Sequence, residues 1–376
     1  MAASKIKVEF LHCDQGMGSL VKIYNSAGKL ENLVLIDLGS DTKTKRYADN
    51  TVTDIIEALQ EMETDGFTPH IELLIISHQD YDHWSLLPDL IQEIISSLPS
   101  TTVANIYYGG ARWKPNAVAA LKELEKQFGI TSVPLPRAHT DYSTPGKKGE
   151  LGSVDGVVFR VLAVNTPCSR SDDGLIKNGT SAVMVAEFAG THCIFPGDAT
   201  ADTIGFINRL VFDAWEKDGK GIPVHPCKAL SAPHHGALRS LASNFVSKDP
   251  KLDIAKKFAE KVEAQNVIAS AGYYSHHKHP NKQVMEELGV KAVAAPGHGF
   301  IVFDYAVKYA WEEFKDFKRG LYSTIVTLDP PPERIGWIFT INAAGEISFE
   351  LGKSRSQRSP FRRERYPAVP APLRAS

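Results

Sequence analysis

Between Ile6 and Leu351 the apolar residues fall in short runs of strand length, separated by amphipathic stretches of helical period. No other feature constrains the fold as much. Ile6–Phe10, Ser19–Tyr24 and Leu33–Asp37 read as strands, the last two joined as a hairpin through Asn25-Ser-Ala-Gly28. Thr51–Met62 places Ile55, Ile56, Leu59 and Met62 on one helical face. Ile71–Ser77 is apolar enough to be a strand buried on both faces. Val103–Tyr108, Val157–Val164, Ser181–Phe188, His192–Phe195, Ala229–Ser231 and Val267–Ser270 also predict strands. Leu86–Leu98, Ala117–Phe128, Leu210–Trp215, Asp253–Glu263 and Lys282–Leu288 predict helices. Trp337–Ile341 and Glu346–Leu351 close the pattern as a hairpin turning at Ala344-Gly345, and Pro134–Gly152 reads as a loop. With neither an internal repeat nor a linker before residue 352, residues 1–352 predict a single elaborated α/β domain.

Composition excludes a fibrous or wholly disordered chain: 43% of the 376 residues are hydrophobic and the formal charge is −2. That charge is unevenly placed. Residues 353–376 carry seven basic side chains and one acidic one, so an acidic body of net −8 precedes a tail of +6. The tail has no apolar periodicity and predicts disorder. It reads equally as a solvated end or as a weak, salt-sensitive hold on a polyanion. The first ten residues are too polar for a signal-peptide core, and no apolar run has membrane-spanning length. Cys13, Cys168, Cys193 and Cys227 are scattered, without a CxxC pair. Reduced thiols in a cytoplasmic protein follow from that spacing.

The chemistry concentrates in His78-Gln-Asp80-Tyr-Asp82-His83, directly after the Ile71–Ser77 strand. Four of these six side chains are metal-ligand types. Capping would explain one aspartate but not two aspartates bracketed by two histidines. Such a loop can feed two ions, His78 and Asp80 toward one, Asp82 and His83 toward the other. Phe195-Pro-Gly197-Asp198 presents one carboxylate after a buried strand. Alone it would be an ordinary turn; beside a metal loop its two oxygens can bridge two cations. In Pro233-His234-His235-Gly236 the flanking Pro and Gly fix the backbone of a histidine pair, which suits a positioned ligand. His276-His-Lys-His279-Pro280 is balanced between a site segment and a chance cluster.

Taken in order, Asp14-Gln-Gly16, Asp37-Leu-Gly39, His78–His83, Asn178–Ser181, Gly197-Asp198, His234-His235-Gly236 and His279-Pro280 resemble the metallo-β-lactamase superfamily. They look in particular like the soluble C-terminal hydrolase domain of ComEC-type competence proteins. The family's Asp-x-Gly-Gln-Gly-Asp opening is reduced here to Gln15-Gly16, whereas His-x-Asp-x-Asp-His is matched in full. The resemblance implies a four-layer αββα sandwich with two divalent metal ions at one edge. It implies His78, Asp80, Asp82 and His83 as ligands, Asp198 as the bridge, and His234 or His235 completing the second site. Catalytic roles fall to Asp82, Asp198 and His279, the last as a substrate or proton-donor group, and substrate contacts to Asn178, Ser181 and His279. Many superfamily members have a further His ligand before the bridging Asp. Here Asn178–Ser181 stands in that place, with His139 and His192 elsewhere, so one ion is a ligand short.

Carboxylate at position 80, where ordinary superfamily members have His, moves preference from zinc toward manganese or magnesium and toward phosphate oxygens. Expected from this is hydrolysis of a phosphodiester (DNA, RNA or a small nucleotide) by a hydroxide held between two metals. Ester, thioester or lactone hydrolysis on the same fold is the rival, disfavoured by Asp80. A small nucleotide second messenger as substrate suits the acidic body, and a metal-stabilised scaffold would have lost ligands. Trp84, Tyr81, Tyr107-Tyr108 and Tyr273-Tyr274 are candidates for stacking on bases, though packing explains most such residues. Lys147-Lys148, Arg239, Lys256-Lys257 and Lys278 are candidate phosphate contacts, and Ala237–Gln265 a candidate cap over the metals.

Overall fold

The computed structural model describes residues 2–41, 49–135, 149–167, 173–217, 219, 224–244, 249–272, 277–329 and 335–352. His139, Lys147, Lys148, Cys168, Tyr273, Tyr274, His276 and the basic tail therefore lie outside the described residues. The chain begins with β1 (Lys5–Phe10), β2 (Gly18–Tyr24) and β3 (Leu30–Leu38), an antiparallel meander. Helix α1 (Asp49–Thr64), β4 (His70–Ile76), α2 (Leu87–Ser97), β5 (Thr102–Tyr108), α3 (Pro115–Phe128) and β6 (Val133–Pro134) follow. These are right where the 3.6-residue period predicted helices. Pro115 opens α3, and Gly129 ends it in the left-handed conformation.

The second half supplies β7 (Glu150–Val154), β8 (Val157–Ala163), α4 (Asp173–Gly179), β9 (Val183–Phe188), β10 (Thr191–Phe195) and α5 (Ala201–Phe206). A π-helical turn, Ile207–Phe212, carries α5 into α6 (Asp213–Lys217). Then come β11 (Cys227–Ser231), α7 (Leu238–Leu241), α8 (Asp253–Val262), β12 (Val267–Ala269) and α9 (Lys282–Leu288). The last strands are β13 (Ala294–Asp304), β14 (Ala310–Arg319), β15 (Leu321–Ser323), β16 (Trp337–Asn342) and β17 (Ile347–Leu351). The Pro134–Gly152 loop is thus shorter than predicted, since β6 and β7 take its ends. The helix predicted at Leu210 begins at Ala201, and the β13–β14 hairpin was not foreseen.

Two large sheets result, ordered β17-β16-β1-β2-β3-β4-β5-β6 and β15-β12-β11-β10-β9-β8-β7. Alternating side chains of the first sheet divide between two cores. Leu35, Leu74 and Ile76 meet Ile55, Leu59, Leu90 and Leu121 of α1, α2 and α3. Val34, Ile36, Leu73 and Ile75 face Phe159, Val161, Val185 and Ile194 of the second sheet. Phe212, Phe258 and Val262 cover the other face of that sheet. The layers are therefore helix, sheet, sheet, helix, the αββα sandwich that the resemblance implies. α8 packs with α5 and α9, burying Ala255, Phe258, Ala259 and Val262. Within Ala237–Gln265, read above as a candidate cap, α8 instead packs into the outer helical layer, and residues 245–248 lie outside the described residues. No helix is long and apolar enough to cross a membrane among the described residues.

In each sheet one half is antiparallel and the other parallel. Parallel strands cannot be joined by tight turns, so their carboxyl ends release longer loops, and ligands gather there. Phe159 is fully buried between the sheets. Phe159→Ala should cost about 3–5 kcal/mol of stability in urea denaturation; a loss under 1 kcal/mol would contradict this packing.

Candidate metal centre

Asp37 ends β3, the 77–86 loop leaves β4, Asp198 follows β10, His234-His235 follow β11, and Ser270 follows β12. All five stand at the carboxyl ends of parallel-paired strands. The first loop is clasped from outside. Trp84 donates its indole N–H to the Gln79 carbonyl at 3.0 Å, and Met17 N–H donates to the Asp82 carbonyl at 3.0 Å. A Cβ on Gly39 would lie 2.4 Å from the Asp82 carbonyl carbon, so only glycine admits this approach.

Within the clasp, Asp198 turns its two carboxylate oxygens toward two groups of side chains. Oδ1 lies 3.0 Å from His83 Nε2 and 3.7 Å from His235 Nε2. Oδ2 lies 3.4 Å from His234 Nε2 and 3.7 Å from His78 Nε2, which is 3.8 Å from Asp80 Oδ2. Asp82 joins the first group, 3.4 Å from His235 Nε2. Asp82, His83, Asp198 and His235 offer four ligand atoms within 4.8 Å of one another, an arrangement that can hold a metal ion. Ligand atoms about 2.0–2.2 Å from one ion stand roughly 3.3–3.6 Å apart in tetrahedral geometry. The separations around Asp198 cluster near that spacing. The Nε2 atom of His78 is buried without a hydrogen-bond partner, a costly arrangement unless a cation stands beside it.

The far sides of the rings are held. His83 Nδ1 is 2.9 Å from Asp37 Oδ2, and the other Asp37 oxygen accepts from Ser77 N–H at 2.7 Å. His235 Nδ1 faces the Ser270 carbonyl at 3.1 Å, and His78 Nδ1 faces Ser77 Oγ at 3.2 Å. Each ring thus points Nε2 at the centre, the tautomer arrangement of metal-binding histidines. Asp37, Ser77 and Ser270 had no role in the sequence reading. Asp37 belonged to the quoted Asp-x-Gly element, and its left-handed φ of 57° is the backbone mark of a special position.

Electrostatics follow from burial among carboxylates. Burial, aided by His83, depresses His78 to about 4, so its ring is neutral. Burial and the neighbouring Asp82 and Asp198 raise Asp80 to about 6. For Asp82, burial is outweighed by the His235 hydrogen bond and by His83, and the carboxyl falls to about 2. Burial also opposes protonation of His83, but Asp198 and Asp37 together hold it well above its ordinary value. His279 is held well below, by burial and by His234 and His235.

Other predicted site residues divide. His279 lies beside the centre, its ring stacked at 6.3 Å on His235. Asn178, on the unpredicted helix α4, sets its amide between Asp80 Oδ2 at 3.0 Å and His234 Nδ1 at 3.2 Å, with its oxygen and nitrogen assigned by those bonds. Ser181 is fully buried, accepting from Asp198 N–H at 3.0 Å. Expected to contact substrate, it is placed instead to support the Asp198 turn. Trp84, only 7% exposed, is packed in the core with Leu86 and Ile91 and has no face for a base. Tyr81 is more open but leans on Trp84, and Tyr108 packs on Trp113. Lys257 pairs with Asp213 on the outer helical layer, and Lys278 lies over the Phe303 and Tyr309 rings. His192 faces Glu187 within the second sheet. A cleft of about 380 Å³ lined by Lys7, Glu9, Lys22 and Tyr24 contains none of the metal-loop residues.

No protein-family model and no curated protein matches the sequence. Solved structures do show a likeness of fold. The metallo-β-lactamase fold protein YhfI from Bacillus subtilis is 12% identical over 77% of this chain and 93% of its own, with a TM-score of 0.40. A diphosphatase of the PhnP family is 15% identical over 74% and 91%, at 0.35. A putative metal-dependent hydrolase from Parabacteroides distasonis is 13% identical over 76% and 94%, at 0.33.

Asp198 and Asp37 favour the charged form of His83, whose Nε2 faces the centre. Because its folded pKa is raised, the stability this gives is complete below the unfolded value near 6.5 and is lost as pH rises through the folded value. A cation on Nε2 displaces the proton. Metal uptake should release protons, since His83 and His235 are both held above their ordinary value, and more of them at pH 5.5, where Asp80 is also mostly protonated. Calorimetry in buffers of different ionisation enthalpy measures this; zero release would refute the exchange. Asp37→Asn should weaken metal affinity by about 10–100-fold, read by chelator competition, and unchanged affinity would remove Asp37's orienting role.

Proposed function

We propose that the protein is a metal-dependent phosphodiesterase acting on nucleic acid or a nucleotide at a dinuclear site. The observation that carries this reading is the division of the Asp198 oxygens between two groups of ligand-type side chains, one of which contains a carboxylate at position 80. Asp82, His83, His235 and Asp198 would hold one divalent ion; His78, Asp80, His234 and Asp198 would hold the other. His234 thereby takes the place left short by the missing histidine. Divalent cations held there would acidify a water and stabilise charge on the attacking and leaving oxygens.

The chain's own residues do the rest. The Asp198 carboxylate fixes the spacing of the two groups, and Asp37 and Ser270 fix the ring directions. Asn178 donates to Asp80 and accepts from His234, keeping both on the same side. His279, neutral through burial, offers a ring nitrogen to the substrate. The oxygen-rich Asp80 group suits manganese or magnesium and a phosphate ligand. The matched His-x-Asp-x-Asp-His pattern of ComEC-type domains supports the same chemistry.

The test is a manganese, magnesium and zinc panel against bis-p-nitrophenyl phosphate, single-stranded DNA and a thioester. Metal-dependent diester cleavage is expected, falling by about 100-fold or more in Asp82→Ala and Asp198→Ala, with the fold retained by circular dichroism. Thioester cleavage without diester cleavage would replace this reading by the carboxyl-ester one.

A further inference from the structure

Three cations flank the Asp80 side of the centre, and none was singled out by the sequence. The loop after β5, Gly109–Lys114, is built against the metal loop. Gly109 N–H donates to the Ile76 carbonyl at 2.8 Å, and a Cβ on Gly110 would lie 2.7 Å from His78 Cβ. Ala111 N–H donates to Thr180 Oγ1 at 3.0 Å, tying the loop to the end of α4. The next residue, Arg112, takes a left-handed φ of 64°, unusual for a long side chain, and its guanidinium is 53% exposed. It shares Asp173 with Lys177, whose ammonium is 2.6 Å from that carboxylate. Lys177 precedes Asn178 in α4, is only 9% exposed, and interacts electrostatically with Asp80 and Lys114.

An ordinary helical ion pair would account for Lys177 and Asp173 alone. It does not account for the exposed Asp173 carboxylate being shared by Arg112 and Lys177, with Lys114 beside Lys177, in a body of net −8. An exposed pair of this kind is worth under about 1 kcal/mol, so it gives little return for desolvating Lys177. An arriving anion would satisfy all three. We propose that Arg112, Lys114 and Lys177 form a subsite for a second phosphate of the substrate, beside the diester at the metals. This rests on the phosphodiesterase reading and narrows it to substrates with more than one phosphate, single-stranded nucleic acid above all.

The experiment compares oligothymidylate with bis-p-nitrophenyl phosphate in the metal-loaded protein, and measures binding of labelled oligothymidylate by anisotropy across a salt series. In Arg112→Ala the ratio of kcat/KM for the oligomer to that for the small diester should fall about tenfold. Oligomer binding should weaken, with a log–log salt slope shallower by about 0.7 for the lost phosphate contact. Arg112→Lys should recover most of both, and Lys177→Gln should repeat the loss. An unchanged ratio and salt slope in Arg112→Ala would overturn the subsite even if diesters are cleaved. Salt-sensitive binding that falls in the variant without any diester cleavage would leave the subsite standing and remove the phosphodiesterase reading.

Discussion

The architecture depends on one line of hydrogen bonds, Asp37–His83–Asp198. Asp37 belongs to the first sheet, Asp198 follows a strand of the second, and the His83 ring spans them with contacts of 2.9 and 3.0 Å. All three side chains are buried. Two carboxylates at such depth are tolerable only with a shared cation between them. A protonated imidazole serves when metal is absent, and a divalent ion can take over one side of it. The sheets are therefore coupled through charge as well as through the apolar core, at the edge where the parallel strands end.

Other features follow from holding that line. Ser77 binds Asp37, Ser181 binds the Asp198 turn, and Gly197 brings its Cα to where a Cβ would lie 2.4 Å from Ser181 Oγ. Replacing any of these with bulkier residues would push the carboxylates apart. Asn178 is the polar counterpart on the second group. It holds Asp80 and His234 by hydrogen bonds, so it orders a ligand set in which it need not itself be a ligand.

Much of this was legible because strand periodicity and ligand chemistry coincide in a few residues. The run Ile71–Ser77 followed by four ligand types revealed both an element and a candidate metal loop, and the short apolar runs gave most of the strands, whereas their stacking in two sheets followed only from the resemblance. The division of labour within His234-His235 was not legible. Both rings are the same chemistry, and only the backbone decides which oxygen of Asp198 each meets. Asp37 was seen as part of a pattern, but its partner His83 lies 46 positions away, a separation no local rule spans. The β13–β14 hairpin was missed because it stands outside the large sheets, and in Trp311-Glu-Glu-Phe-Lys-Asp-Phe the apolar residues recur every third position, without the alternation of a strand. Trp84 was misread for the opposite reason: its neighbours in sequence are catalytic types, but its neighbours in space are Leu86, Ile91 and the loop it fastens.

The backbone at the histidine pair shows how the site is prepared before any ion arrives. His234 and His235 hold φ of 46° and 56°, and Gly236 follows at 77°. Successive left-handed residues with side chains cost about 1–3 kcal/mol each and persist only where the surroundings dictate them. Here His234 N–H donates to the Gly197 carbonyl at 2.9 Å and Ala237 N–H to the His234 carbonyl at 2.8 Å. The same turn that carries Asp198 therefore fixes the histidine turn. With a relaxed extended backbone, consecutive side chains would point to opposite faces, and only one ring could reach Asp198. The left-handed pair swings both rings to the same carboxylate, one on each oxygen. The strain is thus the geometric condition for letting one short segment serve two ligand groups. It also lets imidazole stand at both oxygens of Asp198.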